Sequence, residues 1–98
     1  MAVVAILDVR LKSDPLEDAY TAVSETLSET RQFAGCIKAE VLVDSTDAAH
    51  LVVVETWESA EADAAYREWR RGDGAPVKLA AVLAAPPVLT HFSPAEHL

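Results

Sequence analysis

The chain has 98 residues, room for one hydrophobic core and no second domain. Sixteen acidic residues against eight basic ones give a net charge of -8, which repels phosphate backbones and anionic lipid and so argues against a nucleic-acid or membrane partner. Hydrophobic residues make up 51% of a domain too small to be stable by a wide margin alone, so an extensive buried interface between two copies is expected.

Residues 2–11, AVVAILDVRL, alternate Val4, Ile6, Asp8 and Arg10 against Val3, Ala5, Leu7 and Val9, the signature of a first strand. The segment has no basic stretch ahead of it and meets Asp8 too early for a signal peptide or a membrane span, so a cytoplasmic protein is expected. Asp14, Pro15 and Glu17 then supply an N-cap oxygen, a first-turn proline and an acidic first turn. The helix they open presents Leu16, Ala19, Tyr20, Val23 and Leu27 inward and is expected to run to about Phe33, with Gly35 closing it in the left-handed conformation. Residues 36–44, CIKAEVLVD, and the run HLVVVETW read as a hairpin across DSTDA. The unbroken Val52, Val53 and Val54 call for cover on both faces of the sheet.

Ser59 is placed to cap a second helix, SAEADAAYREWRR, whose inward stripe is Ala62, Ala65, Tyr66 and Trp69; Arg67, Arg70 and Arg71 crowd its end, where they complement the negative pole of the helix or draw an anionic substrate. Gly72 and Gly74 break it, a short helical segment APVKLAAVLA follows, and Pro86 and Pro87 stop that segment before the last strand, VLTHF, and a polar tail. The order β-α-β-β-α-β is an α+β, ferredoxin-like arrangement: an antiparallel sheet with both helices on one face. The bare face would be covered by the same face of a second copy, giving a homodimer.

The stretches FAGCIKAEVLVD and HLVVVETWESAEADAAY resemble the antibiotic biosynthesis monooxygenase family, in which a helix ends in an aromatic-small-Gly-Cys turn and the third strand ends in Glu-x-Trp-x-Ser. Those positions are Phe33, Gly35, Cys36, Glu55, Trp57 and Ser59, with an aromatic, Tyr66, nine positions after the tryptophan, and the resemblance spans residues 2–93. It implies a dimeric α/β barrel with a pocket in each subunit between helices and sheet. It also implies oxygenation of phenols, quinols or polycyclic aromatics by molecular oxygen without flavin, metal or haem. The chain departs from the family in containing no asparagine, a residue associated there with orienting substrate or oxygen. The family's haem-degrading branch also expects an axial histidine after the second helix, and residues 70–90 contain none.

Such chemistry needs a base and an aromatic wall in a dry cavity. His91 is the base that neutral pH favours, with a structural or solvent-facing imidazole as the alternative; Trp57 and Tyr66 are the catalytic wall and hydroxyl donor, or else core. Trp69, Asp8, Tyr20 and Glu55 are the substrate-binding candidates, Asp8 and Glu55 because a carboxylate on an apolar strand face is either a pocket group or an ion-pair partner. No residue set suggests a metal or cofactor site. His50 and His97 are read as solvated, and Cys36 as a small packing residue. Three functions compete: a cofactor-independent monooxygenase acting on a small aromatic, quinol or polyketide-type molecule; a non-catalytic ligand-binding or accessory dimer; and a purely structural dimer with Trp57, Tyr66 and Trp69 filling the pocket.

Overall fold

The computed structural model describes residues 1–98. Its elements are β1 (Val3–Arg10), α1 (Leu16–Gln32), β2 (Cys36–Asp44), β3 (Asp47–Trp57), α2 (Ala60–Arg71), α3 (Val77–Val82) and β4 (Val88–Phe92). The four strands form one antiparallel sheet in the order β2-β3-β1-β4, the ferredoxin-like α+β arrangement expected from the element order.

Strand alternation divides the sheet into two chemically different faces. Ala5, Val9, Ala39, Leu51, Val53, Glu55 and Trp57 are buried beneath the helices. Val4, Ile6, Asp8, Val52 and Val54 point the other way and are only half-buried, and Leu42, Val88 and Phe92, which the register brings to the same face, are exposed. The Val52–Val54 run is therefore covered by helices on one face alone within this chain.

The core has two adjoining parts. Under α1, Val9, Leu11, Ala19, Val23, Leu27, Ala39, Leu51 and Val53 pack together. Under α2, Ala5, Trp57 and Tyr66 pack against Phe33 and Trp69, with the Trp57 and Tyr66 rings 4.8 Å apart and Phe33 edge-on to both.

Ser59 caps α2 as expected, accepting a hydrogen bond from the Ala62 N–H at 3.1 Å. Asp14 does not cap α1: the helix begins at Leu16, behind an extended Pro15 with no side-chain bond to the first turn, and Tyr20 lies at its solvent edge, not in its inward stripe. In α2 the buried positions are Asp63 and Tyr66, while Ala65, predicted inward, is exposed. Gly35 takes φ 91°, and a β-carbon there would also overlap the Ala62 methyl. Gly35→Ala is therefore expected to cost about 1 to 3 kcal/mol in chemical denaturation, from backbone strain and from displacing α2.

Candidate active site

Glu55 is 3% exposed, a consequence of its place on β3 between Val53 and Trp57 on the helix-covered face. A buried carboxylate must be paired. Arg67, two turns into α2, reaches it: Nη2 donates to Glu55 Oε1 at 2.5 Å and to Asp63 Oδ1, one turn earlier, at 3.1 Å. Trp57 Nε1 donates to the same Glu55 oxygen at 3.1 Å. The other oxygen of Asp63, itself 6% exposed, stands 2.8 Å from His91 Nε2. A continuous line of charge thus runs from Glu55 through Arg67 and Asp63 to a half-exposed histidine on β4.

Both protein bonds to the Glu55 carboxylate fall on Oε1, which leaves Oε2 free of any protein donor. Arg67 is held through Nη2 alone; its Nε is enclosed without an acceptor, and the guanidinium lies over the Tyr66 ring at 5.0 Å.

A second network fixes Tyr66. Thr30 Oγ1 donates to the Thr26 carbonyl, so it accepts from the Tyr66 hydroxyl at 2.7 Å and from Arg70 Nη2 at 3.2 Å. Arg70 Nε in turn donates to the Tyr66 oxygen at 2.7 Å. The Tyr66 proton is therefore committed to Thr30, and the hydroxyl donor expected from the sequence is occupied within the fold.

Between α1, α2 and the sheet lies a cavity of about 150 Å³. Leu7, Val9, Leu51 and Val53 form its apolar floor, Glu55, Tyr66, Arg67 and Arg70 its polar end, and Pro76 and Leu79 close it from the α3 side. It remains open although Trp57, Tyr66 and Trp69 pack together beside it, which removes the ground for a purely structural dimer with a filled pocket. A wider groove on the far side of Val23, Leu27 and Leu51 is lined by Tyr20 and Arg31. Two of the Arg31 nitrogens donate to the Ala39 carbonyl, and the groove holds no carboxylate or histidine.

The sequence profile described as antibiotic biosynthesis monooxygenase matches residues 2–75, about three quarters of the chain and every residue of the polar end of the cavity. The chain belongs to the antibiotic biosynthesis monooxygenase family. Solved structures agree on the fold. A protein of Nitrosomonas europaea, provisionally described as an antibiotic biosynthesis monooxygenase, superposes with a TM-score of 0.82 at 18% identity, covering 96% of this chain and 90% of its own. A variant of the cofactor-independent oxygenase SnoaB from Streptomyces nogalater superposes with a TM-score of 0.80 at 13% identity, over 96% of this chain and 93% of its own. A Mycobacterium tuberculosis protein gives 0.79 at 18% identity, over 96% and 95%. No curated protein sequence matches the chain.

Within this antibiotic biosynthesis monooxygenase domain the predicted site residues separate. Glu55 and Tyr66 line the cavity. Trp57 is fully enclosed behind them at 0% exposure, touching the site through its bond to Glu55 and its packing on Tyr66. Trp69 packs against Phe33 and under Arg70, and a β-carbon at Gly74 would overlap its ring. His91 stands outside the cavity, behind Asp63. Tyr20 donates to the Ala48 carbonyl at 2.6 Å from the separate groove. Asp8 is on the opposite face of the sheet, where the ion-pair alternative holds, with His50 as the partner.

Asp63 and Thr30 are polar residues that sequence reasoning missed, and the roles of Arg67 and Arg70 differ from the helix-end complement that was one of their two readings. Arg67 and Arg70 do not decorate a helix end. They are tied to Glu55 and Asp63, and to Tyr66, Thr26 and Thr30, while only Arg71 lies at the surface, beside Glu68. The available signal was the spacing: Asp63, Arg67 and Arg70 share the face of α2 that carries Tyr66. Cys36 is half-buried as expected; burial first, and the Glu55 charge second, push its thiol pKa up, away from reactive thiolate.

His50, read as solvated, is instead clamped on the open face, Nδ1 against Asp44 at 2.8 Å and Nε2 against Asp8 at 3.1 Å. The Asp44 bond, then the Asp8 bond, raises the His50 pKa above 6.5, and the same bond with two from Thr46 lowers Asp44 from 3.8 to about 2. A raised histidine pKa stabilises the fold fully below 6.5 and ceases to do so as pH rises through the folded value; the lowered Asp44 pKa stabilises above 3.8 and is lost as pH falls toward about 2. The melting temperature is expected to decline from pH 6 toward pH 9 with a slope that His50→Gln abolishes, read by calorimetry across that range.

Proposed function

We propose that the protein is a cofactor-independent monooxygenase that oxidises a small aromatic quinol with molecular oxygen in the cavity between α1, α2 and the sheet. One observation carries this: a buried carboxylate, Glu55, with one oxygen held by Arg67 and Trp57 and the other free, at the polar end of an apolar cavity. Glu55 is the base in this reading, with Tyr66 and Arg67 flanking the reacting oxygen and His91 acting at a distance through Asp63 and Arg67. Trp57 and Trp69 hold the walls.

The stoichiometry closes without an outside reductant. Glu55 takes the quinol proton, and the resulting anion, electron-rich and shielded from water, passes electrons to oxygen. One oxygen atom enters the ring and the other leaves as water, with all four electrons drawn from the quinol as it becomes a hydroxyquinone.

The bare sheet face, with Val4, Ile6, Val52, Val54, Leu42 and Phe92, supports a homodimer packed face to face. The absence of asparagine favours a second reading, a ligand-binding or accessory dimer without turnover. Oxygen uptake by metal-stripped protein with a panel of hydroquinones, corrected for autoxidation, separates the two. Saturable uptake that survives chelation supports the monooxygenase. Ligand-induced thermal stabilisation without uptake selects the binding protein.

A further inference from the structure

We infer that the site is selective for a single ring, and that Leu79 and Pro76 at the start of α3 set that limit. This rests on the cavity proposed above as the active site, and it restricts the substrate class to monocyclic phenols and quinols.

The size argument is direct. An apolar cavity of about 150 Å³ takes up one benzene-sized molecule, whereas sites for larger ligands run from about 300 to 1,000 Å³. The cavity here holds about 150 Å³. Three of its boundaries are fixed. The floor is a sheet of paired β1 and β3 residues, Leu7 against Val53 and Val9 against Leu51. The α1 wall, Val23 and Leu27, is core. The polar end is locked by the Glu55–Arg67–Asp63 and Tyr66–Thr30–Arg70 networks.

The fourth boundary is different in kind. α3 is a six-residue helix with no buried residue, tied to the body by the Leu79 and Val82 side chains, by Lys12 N–H to the Val82 carbonyl at 2.8 Å, and, just past its end, by the Leu83 side chain and Ala84 N–H to the Arg10 carbonyl at 2.8 Å. Pro76 and Leu79 are thus the apolar lining residues that lie off the sheet and α1, and of the two Leu79 can change in size without altering the proline that opens α3. It also lies beyond residue 75, outside the segment that the family profile matches. The dimension of the ligand is therefore controlled by a part of the chain separate from the chemistry at Glu55.

The test uses titration calorimetry with phenol, 1-naphthol and 9-phenanthrol, which report binding whether or not turnover occurs. Wild type is expected to bind phenol at least about tenfold tighter than 9-phenanthrol, against the solubility trend, since an extra ring must displace packed core. Leu79→Ala should gain affinity for 1-naphthol by about tenfold, and Leu79→Phe should lose phenol binding by a similar factor. Val77→Ala, on the same helix but with Val77 71% exposed and outside the cavity, should change neither. Equal or tighter binding of 9-phenanthrol by wild type, or Leu79 variants that fold and keep the wild-type order, would overturn the size limit. So would the absence of phenol binding. Phenol binding with the expected order but no hydroquinone-dependent oxygen uptake would leave the size limit standing and refute the monooxygenase reading.

Discussion

Glu55→Gln should lower quinol-dependent oxygen uptake by roughly 10² to 10⁴-fold, the range typical of a lost general base. Glutamine keeps a carbonyl oxygen that can accept from Trp57 Nε1 and Arg67 Nη2, the two bonds that now fall on Oε1. What it loses is the carboxylate oxygen that has no protein donor. The fold should survive, because the chain of charge loses one negative member while Asp63 still pairs Arg67 at 3.1 Å. Thermal melts and phenol binding close to wild type, with uptake lost, would assign the base to Glu55. Uptake at the wild-type rate would return that role to another group, His91 first.

The largest stability effect should come from Trp57. Its side chain is wholly enclosed, stacked at 4.8 Å on Tyr66, edge-on to Phe33, and bonded through Nε1 to Glu55. Truncation leaves a void and frees the Glu55 oxygen from one of its two donors, so Trp57→Ala should cost about 3 to 5 kcal/mol by urea denaturation. Any activity lost would then follow the folded fraction. Trp57→Phe keeps most of the volume and loses the donor, so it should cost far less stability. If Trp57→Ala melted near wild type while uptake fell, Trp57 would be a wall of the site and not part of the core.

Much of the architecture was legible because it depends on local chemistry. Alternation in residues 2–11 and 36–57, the Ser59 cap and Gly35 at its left-handed turn each specify backbone geometry within a few residues, and the β-α-β-β-α-β order follows from them; the short helix expected to run to Pro86-Pro87 ends earlier, at Val82, where Leu83 turns extended to pair with Leu11. The Asp14 cap failed because an N-cap motif states only that a bond is available; whether it forms depends on how Pro15 enters the helix. Tyr20 and Ala65 fell outside their helices' buried faces because helical spacing fixes which residues share a face but not how far round the covered stripe extends.

The site divides along the same line. From sequence alone came the residue types that could do the work, above all a carboxylate at Glu55 on an apolar strand face, with an ion pair or a pocket as its two possible fates. Only the tertiary structure decided that it has both, because the placement of α2 on β3 brings Arg67, twelve positions away, onto one oxygen and leaves the other without a protein donor, in a residue that lines the cavity. It likewise sent Asp8 to the opposite face with His50, 42 positions away, and put His91 behind Asp63, 28 positions away on another element. Pairing between residues distant in sequence is set by strand register and helix docking, which depend on the summed packing of the whole core. Local pattern fixes the elements of this protein, and the packing between them fixes which of its polar residues meet at the cavity.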